Sequence, residues 1–171
     1  MDNIEGRGQL VGKSGAFAPV ADPAGSSNAR GYLASARALL PGLQELARTS
    51  QRPDLSASMA MLGGHILECA LKSVISHRVE HATEQVIPHK GKLSDKLKKH
   101  DLEWLWIEAH SAGLKLSPQP ADWCKRLSGL HDRPYHLRYP TTHVRGLMDA
   151  GNPWTLQVEE IVAAAGKHVG S

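Results

Sequence analysis

The sequence has few cysteines and few aromatic residues, and both shortages exclude classes of protein. Of its 171 residues, two are cysteines (Cys69 and Cys124) and 5% are aromatic. Two distant cysteines exclude a disulfide scaffold and a zinc knuckle, so we expect a reducing, cytoplasmic setting. No stretch approaches the roughly 20 apolar residues of a membrane span, and the N-terminus lacks the basic and apolar regions of a signal peptide. We therefore expect no membrane partner.

Runs of alternating apolar and polar residues are also absent, whereas apolar residues recur every three or four positions. This spacing predicts helices, and we expect an all-α, compact bundle of about five helices. The expected helices begin near Asn28, run from Asp54 to about His77, and cover Leu102–Ala112, Asp122–His131 and the chain from Asn152 onward. Residues 1–26 are rich in glycine and proline and are predicted to be a flexible, disordered tail, so residues 27–171 form a single helical domain.

Three features of the first two helices lead to specific predictions. Pro41 lacks a backbone N–H and is expected to kink or interrupt the first helix. Gly63 and Gly64 each lower helix propensity by roughly 1 kcal/mol, so a packing reason is expected for them. Glu68 and Lys72, one turn apart, are expected to form an ion pair on the outer side of the second helix.

Two short segments resemble parts of a known family of protein domains. Residues 64–75 read GHILECALKSVI, with small residues, an acidic position and Leu-Lys near the end, and residues 100–105 read HDLEWL. Both are similar to segments of HEPN domains, the small all-helical domains of toxins, antiviral nucleases and nucleotidyltransferase partners. The order of helices also fits, and the resemblance covers about residues 28–145. It implies a HEPN-like helical bundle.

The resemblance also implies a function, since many HEPN proteins are metal-independent endoribonucleases of toxin–antitoxin or defence systems. Their Arg-x4–6-His motif acts across a homodimer, and the ribose 2′-OH attacks the phosphate. Arg126 and His131 match this motif on a predicted helix, where both are expected to face away from the core. Arg138 and His143 are the second choice. Histidine suits proton transfer near neutral pH, and arginine holds phosphate through a bidentate fork.

Basic and aromatic residues near these motifs are candidates for RNA binding. Lysines are concentrated in residues 90–99, and a concentrated positive segment attracts phosphate backbones, although a solvated loop has the same composition. Arginine and tyrosine stack on bases, and residues 131–139 contain two of each. The candidate RNA-binding residues are Lys96, Lys98, Lys99, Arg133, Tyr135 and His136.

Two other functions remain open at this point. The first is a non-catalytic HEPN-like module that binds a nucleotide, or a protein such as a nucleotidyltransferase or an antitoxin. The second is a zinc site at His77 and His81, which with Glu80 match the pattern His-x-x-Glu-His. A row of histidines near a helix C-terminus is the alternative interpretation of that match. The leading hypothesis requires no cofactor and no metal.

Overall fold

The chain forms an all-α bundle, as the spacing of apolar residues predicted. The computed structural model describes residues 28–49, 55–82, 97, 100–131 and 153–170, which contain helices and no strand. The predicted tail over residues 1–26 lies outside this part of the chain. The described helices are α1 (Asn28–Arg48), α2 (Ser56–His81), α3 (Leu102–Ser111), α4 (Asp122–His131) and α5 (Trp154–Gly170). In the residues that the structure describes, no helix combines the length and apolar character that crossing a membrane requires.

The first helix is continuous through Pro41, so of the two expected effects, a kink or an interruption, the interruption does not occur. Proline removes one backbone donor from the helix, but buried side chains on both sides of it hold the helix in place. Ala36 and Leu43 flank Pro41 and are both fully buried. The packing of α1 against α2 therefore outweighs the local preference of one residue.

The second helix is the centre of the bundle. It packs against each of the other four helices, and α1 also contacts α5 while α3 contacts α4. Every residue from Ile66 to Ser76 is buried, and these positions point to all sides of α2. Ile66, Leu67, Leu71 and Val74 have no solvent exposure. Burying each such side chain contributes roughly 1.5–3 kcal/mol. Because residues 66–76 are covered on all sides, the polar residues among them, which include Glu68 and Lys72, have no solvent-facing side to occupy.

The two glycines of α2 have the packing reason that the sequence predicted. A Cβ atom at Gly63 would overlap the indole ring of Trp154 from α5. A Cβ atom at Gly64 would lie 2.9 Å from Nδ1 of His131 at the end of α4. Both rings therefore lie directly on the backbone of α2, which only glycine permits.

Both ends of α3 are fixed by hydrogen bonds. The carboxylate of Asp101 accepts a hydrogen bond from the backbone N–H of Trp104 at 3.0 Å, which is an N-cap. Ser128 of α4 accepts another from the N–H of Leu102 at 3.1 Å. At the other end, Arg78 of α2 donates to the carbonyl of Ser111 at 2.7 Å, and Gly113 has the positive φ of a helix stop. These bonds set the position of α3 against α2 and α4.

Candidate functional site

A buried carboxylate with three basic partners lies at the meeting point of α2, α3 and α4. Glu68 is 4% exposed. Its Oε1 lies 2.6 Å from Nζ of Lys72, and its Oε2 lies 2.7 Å from Nε2 of His131. Nδ1 of His100 lies 3.0 Å from both oxygens. We call Glu68, Lys72, His100 and His131 the Glu68 cluster.

The packing of the helices places each member of the cluster. Glu68 and Lys72 are one turn apart and share a face of α2. His100 directly precedes Asp101, the N-cap of α3, so the capping bonds of that helix set its position. Ser128, which bonds the start of α3, lies three residues before His131 on α4. The same contact between α3 and α4 therefore brings both histidines to Glu68.

Two residues outside the Glu68 cluster, Gly64 and Tyr32, lie against it. The absence of a side chain at Gly64 leaves room for the ring of His131. The ammonium of Lys72 lies 5.9 Å from the centre of the Tyr32 ring on α1, a cation–π distance. The rings of His100 and His131 are 6.0 Å apart and nearly perpendicular. All four helices α1 to α4 thus contribute to this one site.

Glu68 is ionised because its partners outweigh its burial. Burial alone raises the pKa of a carboxyl group, since a low dielectric disfavours the charged form. The hydrogen bonds from His131, Lys72 and His100, together with the charge of Lys72, reverse this effect and hold the pKa of Glu68 well below its usual value of 4.5. The cluster therefore contains a fixed negative charge with basic groups around it.

An ionised carboxylate only accepts hydrogen bonds, which assigns the protons on the two imidazoles. The proton lies on Nδ1 of His100 and on Nε2 of His131, the atoms that face Glu68. The side chain of His100 is 27% exposed and that of His131 is 3% exposed. His100 is thus the histidine of the Glu68 cluster that reaches solvent, and Nε2 is the nitrogen of its ring that does not face Glu68.

The leading pair of candidate residues, Arg126 and His131, does not share the outward side that we expected. Arg126 is exposed, whereas His131 is buried against Glu68. Five residues of an α-helix correspond to about 500°, which leaves the two side chains about 140° apart. The expectation that His131 faces outward was therefore wrong, because α4 packs its last turn onto Gly64 of α2.

The expected position of the Glu68–Lys72 pair was also wrong. The two residues do form an ion pair, but it is buried and not on an outer side of α2. The spacing of apolar residues predicted that Glu68 and Lys72 face solvent. In the structure, α3 and α4 cover that side of α2. The useful signal in the sequence was the wide apolar stripe of α2, to which Leu67, Leu71 and Ile75 contribute.

The remaining RNA-related candidates lie outside the described residues. They are Arg138 and His143 of the second motif match, and the candidate RNA-binding residues Lys96, Lys98, Lys99, Arg133, Tyr135 and His136. Their roles stay predictions. In the sequence, Lys98 and Lys99 directly precede His100, and Arg133 follows His131 by two positions.

The zinc candidates His77 and His81 lie in the last turns of α2, with ring centres 4.4 Å apart. The ring of His168 from α5 lies 5.7 Å from that of His77. Glu80, the acidic residue of that pattern, accepts a hydrogen bond from the backbone N–H of Ala29 at 3.1 Å and so holds the start of α1. Burial, with the charges of His81 and His168, lowers the pKa of His77.

A different group of residues has the spacing of a metal site. Among the described residues, Glu68, His100 and His131 bring three ligand atoms within 4.8 Å of one another. Sequence reasoning assigned none of these three to a metal, because their numbers are 32 and 31 positions apart and follow no local pattern. Only the packing of α3 and α4 on α2 brings them together.

Comparisons with known proteins do not assign a family. No family model, curated protein or solved structure matches this chain significantly. The case for a function therefore depends on the Glu68 cluster and on the HEPN resemblance of two segments, both of which contribute residues to that cluster.

Proposed function

We propose that this chain is a HEPN-like protein that cleaves RNA, with His100 as the general base and Glu68 as the residue that orients it. The observation that carries the proposal is the contact of both Glu68 oxygens with Nδ1 of His100, combined with the partial exposure of that ring. A carboxylate that fixes an imidazole tautomer makes the opposite nitrogen a ready proton acceptor. The two residues come from the two segments that resemble HEPN domains.

The proposed reaction is cleavage by the ribose of the RNA itself. Nε2 of His100 takes the proton of a 2′-OH, and the resulting oxygen attacks the adjacent phosphorus. The bond from phosphorus to the 5′-oxygen breaks, leaving a 2′,3′-cyclic phosphate, and the leaving 5′-oxygen takes up a proton. Cations must neutralise the phosphate, and the lysines before His100 and Arg133 after His131 are the candidates for this role. Every group of the Glu68 cluster comes from one chain, and the homodimer implied by the resemblance stays a prediction.

The test is cleavage of a labelled single-stranded RNA by the purified full-length chain in a buffer with chelator. We expect products ending in a 2′,3′-cyclic phosphate and no cleavage of DNA of the same sequence, which lacks the 2′-OH. His100→Ala should reduce the rate by about 10²-fold or more, the usual contribution of a general base. His77→Ala, at the far end of α2, is the matched control and should keep full activity.

Two results would contradict this assignment. One is a folded wild-type chain that leaves RNA intact, and the other is a His100→Ala variant with undiminished activity. If His131→Ala abolished cleavage with unchanged helical circular dichroism while His100→Ala did not, the site would belong to His131 and the motif match Arg126–His131.

The second candidate function is a HEPN-like module that binds RNA, a nucleotide or a protein partner without cleaving it. The separation of Arg126, which is exposed, from His131, which is buried, favours this function over an Arg–His nuclease site. It predicts RNA binding, measured by fluorescence anisotropy, that weakens steeply with salt and leaves the RNA intact.

A further inference from the structure

We propose that Glu68, His100 and His131 form a binding site for a transition metal ion of the zinc type. They supply one carboxylate oxygen and two imidazole nitrogens from the central helix, the start of α3 and the end of α4. The three ligand atoms lie within 4.8 Å of one another. This inference does not depend on RNA cleavage.

The ligand types favour a transition metal over calcium or magnesium. Imidazole nitrogen suits Zn²⁺, Cu²⁺, Ni²⁺ and Fe²⁺, whereas Ca²⁺ and Mg²⁺ take oxygen ligands. Metal–ligand bonds of about 2.0–2.1 Å in a tetrahedron place neighbouring ligand atoms about 3.3 Å apart. Oε2 of Glu68 lies 2.7 Å from His131 and 3.0 Å from His100. The two distances from Glu68 are therefore within about 0.6 Å of those that a metal requires, and the two imidazole nitrogens lie within 4.8 Å of each other.

Packing and hydrogen bonds within the chain position the three ligands. Glu68 and His131 are buried, and backbone packing holds both histidines in place. Three protein ligands leave a fourth position on zinc for water or another ligand. The partial exposure of His100 marks the side from which an ion enters.

The positive charge of Lys72 opposes metal binding, and this effect provides a specific test of the proposal. Its ammonium lies 2.6 Å from Oε1 of Glu68, which leaves Oε2 for the ion but places a positive charge next to it. Removing that charge should strengthen binding, since like charges repel strongly where water is scarce. A purely structural cluster predicts no such gain.

Metal binding also has a consequence for the proposed function, and this consequence rests on that function. An ion on Nδ1 of His100 and Oε2 of Glu68 displaces the hydrogen bond that fixes the tautomer of the base. Zn²⁺ should then inhibit RNA cleavage, and chelator should restore it. Failure of this effect with intact metal binding would count against the RNA assignment and not against the site.

The experiment is titration of the full-length, tag-free chain with Zn²⁺ by calorimetry, together with visible absorption of the Co²⁺ form. We expect one ion per chain, Co²⁺ bands typical of tetrahedral coordination, and a higher melting temperature with Zn²⁺. His100→Ala should abolish this binding, and its partly exposed position makes it the variant that keeps the fold. Lys72→Met should bind Zn²⁺ about tenfold more tightly than wild type, as expected from one adjacent charge.

The control is the double variant His77→Ala/His81→Ala, which removes the other histidine pair of α2. It should bind one ion as the wild type does. Absence of binding by the wild type would overturn the proposal. Loss of binding in the double variant, with retention in His100→Ala, would also overturn it, because the ion would then occupy the end of α2.

Discussion

Nε2 of His131 lies 2.7 Å from Oε2 of Glu68, although 63 positions separate the two residues in the chain. The contact joins the end of α4 to the middle of α2. His100 and Lys72 also contact the carboxylate of Glu68. Such a cluster affects the stability of the fold, the dependence of that stability on pH, and the substitutions that neighbouring positions tolerate.

The first prediction concerns the ion pair of Glu68 and Lys72. Glu68→Gln leaves the ammonium of Lys72 buried without its carboxylate, and breaking a buried ion pair in this way typically lowers the free energy of unfolding by about 3–5 kcal/mol. Lys72→Met should cost less, because Glu68 keeps its hydrogen bonds with His100 and His131. Urea denaturation measures both losses. The double variant should lose clearly less than the sum of the two.

The matched control is the pair Glu45 and Arg48 on α1, whose side chains are 68% and 76% exposed. Its single variants should change the free energy of unfolding by less than about 1 kcal/mol. Equal effects at the two pairs would mean that burial of Glu68 has no energetic role.

The second prediction concerns acid. The pKa of Glu68 in the folded chain lies below its ordinary value of 4.5, so the folded state favours the ionised form. Its contribution to stability is complete above about pH 5 and is lost as the pH falls below 4.5 towards the folded-state value. In chelator-containing buffer, the difference in unfolding free energy between wild type and Glu68→Gln should therefore shrink between pH 6 and pH 3. A constant difference over this range would contradict the prediction.

The third prediction concerns the glycines of α2. Alanine normally stabilises a helix by about 1 kcal/mol relative to glycine. At Gly63 and Gly64 the new methyl group would meet Trp154 and His131, so we expect a loss of about 1–3 kcal/mol from overpacking. Gly31→Ala on α1 is the control, because no described atom lies within 4 Å of its Cβ position, and it should stabilise the protein. Thermal melts of the three variants compare them directly.

The fourth prediction concerns the two thiols. Burial raises the pKa of Cys69 to about 11 and that of Cys124 to about 12. Thiolates are the reactive form, so neither residue should react with a disulfide reagent at pH 8 in the folded chain. Both should react within minutes in guanidinium chloride. Rapid labelling of the native protein would show that α2 or α4 opens readily.

Much of the fold follows from local signals in the sequence. Apolar spacing predicted the described helices, and α3 begins at the predicted Leu102 and ends at Ser111, one residue before the predicted end. Caps and periodicity act within one or two turns, so they are visible without tertiary information. Pro41 shows the limit of local reasoning, because packing of α1 on α2 overrides its preference.

Local patterns in the sequence predicted much less of the candidate site. The abundance of histidine produces Arg-x4-His matches by itself, and the preferred match places its two residues on different sides of α4. The sequence analysis included His100 only in a segment similar to HEPN domains, and it placed Glu68 in an ion pair on the outer side of α2. No spacing rule connects residues that belong to three separate helices.

The sequence by itself determined an all-α chain with a long helix α2 that has a wide apolar stripe, and with glycines where neighbouring groups approach closely. These properties depend on side chains three or four residues apart. Only the tertiary structure decided that α3 and α4 cover the polar side of α2 and that His100 and His131 meet there. The physical reason is that a buried carboxylate needs partners for its charge, and packing of distant helices supplied them.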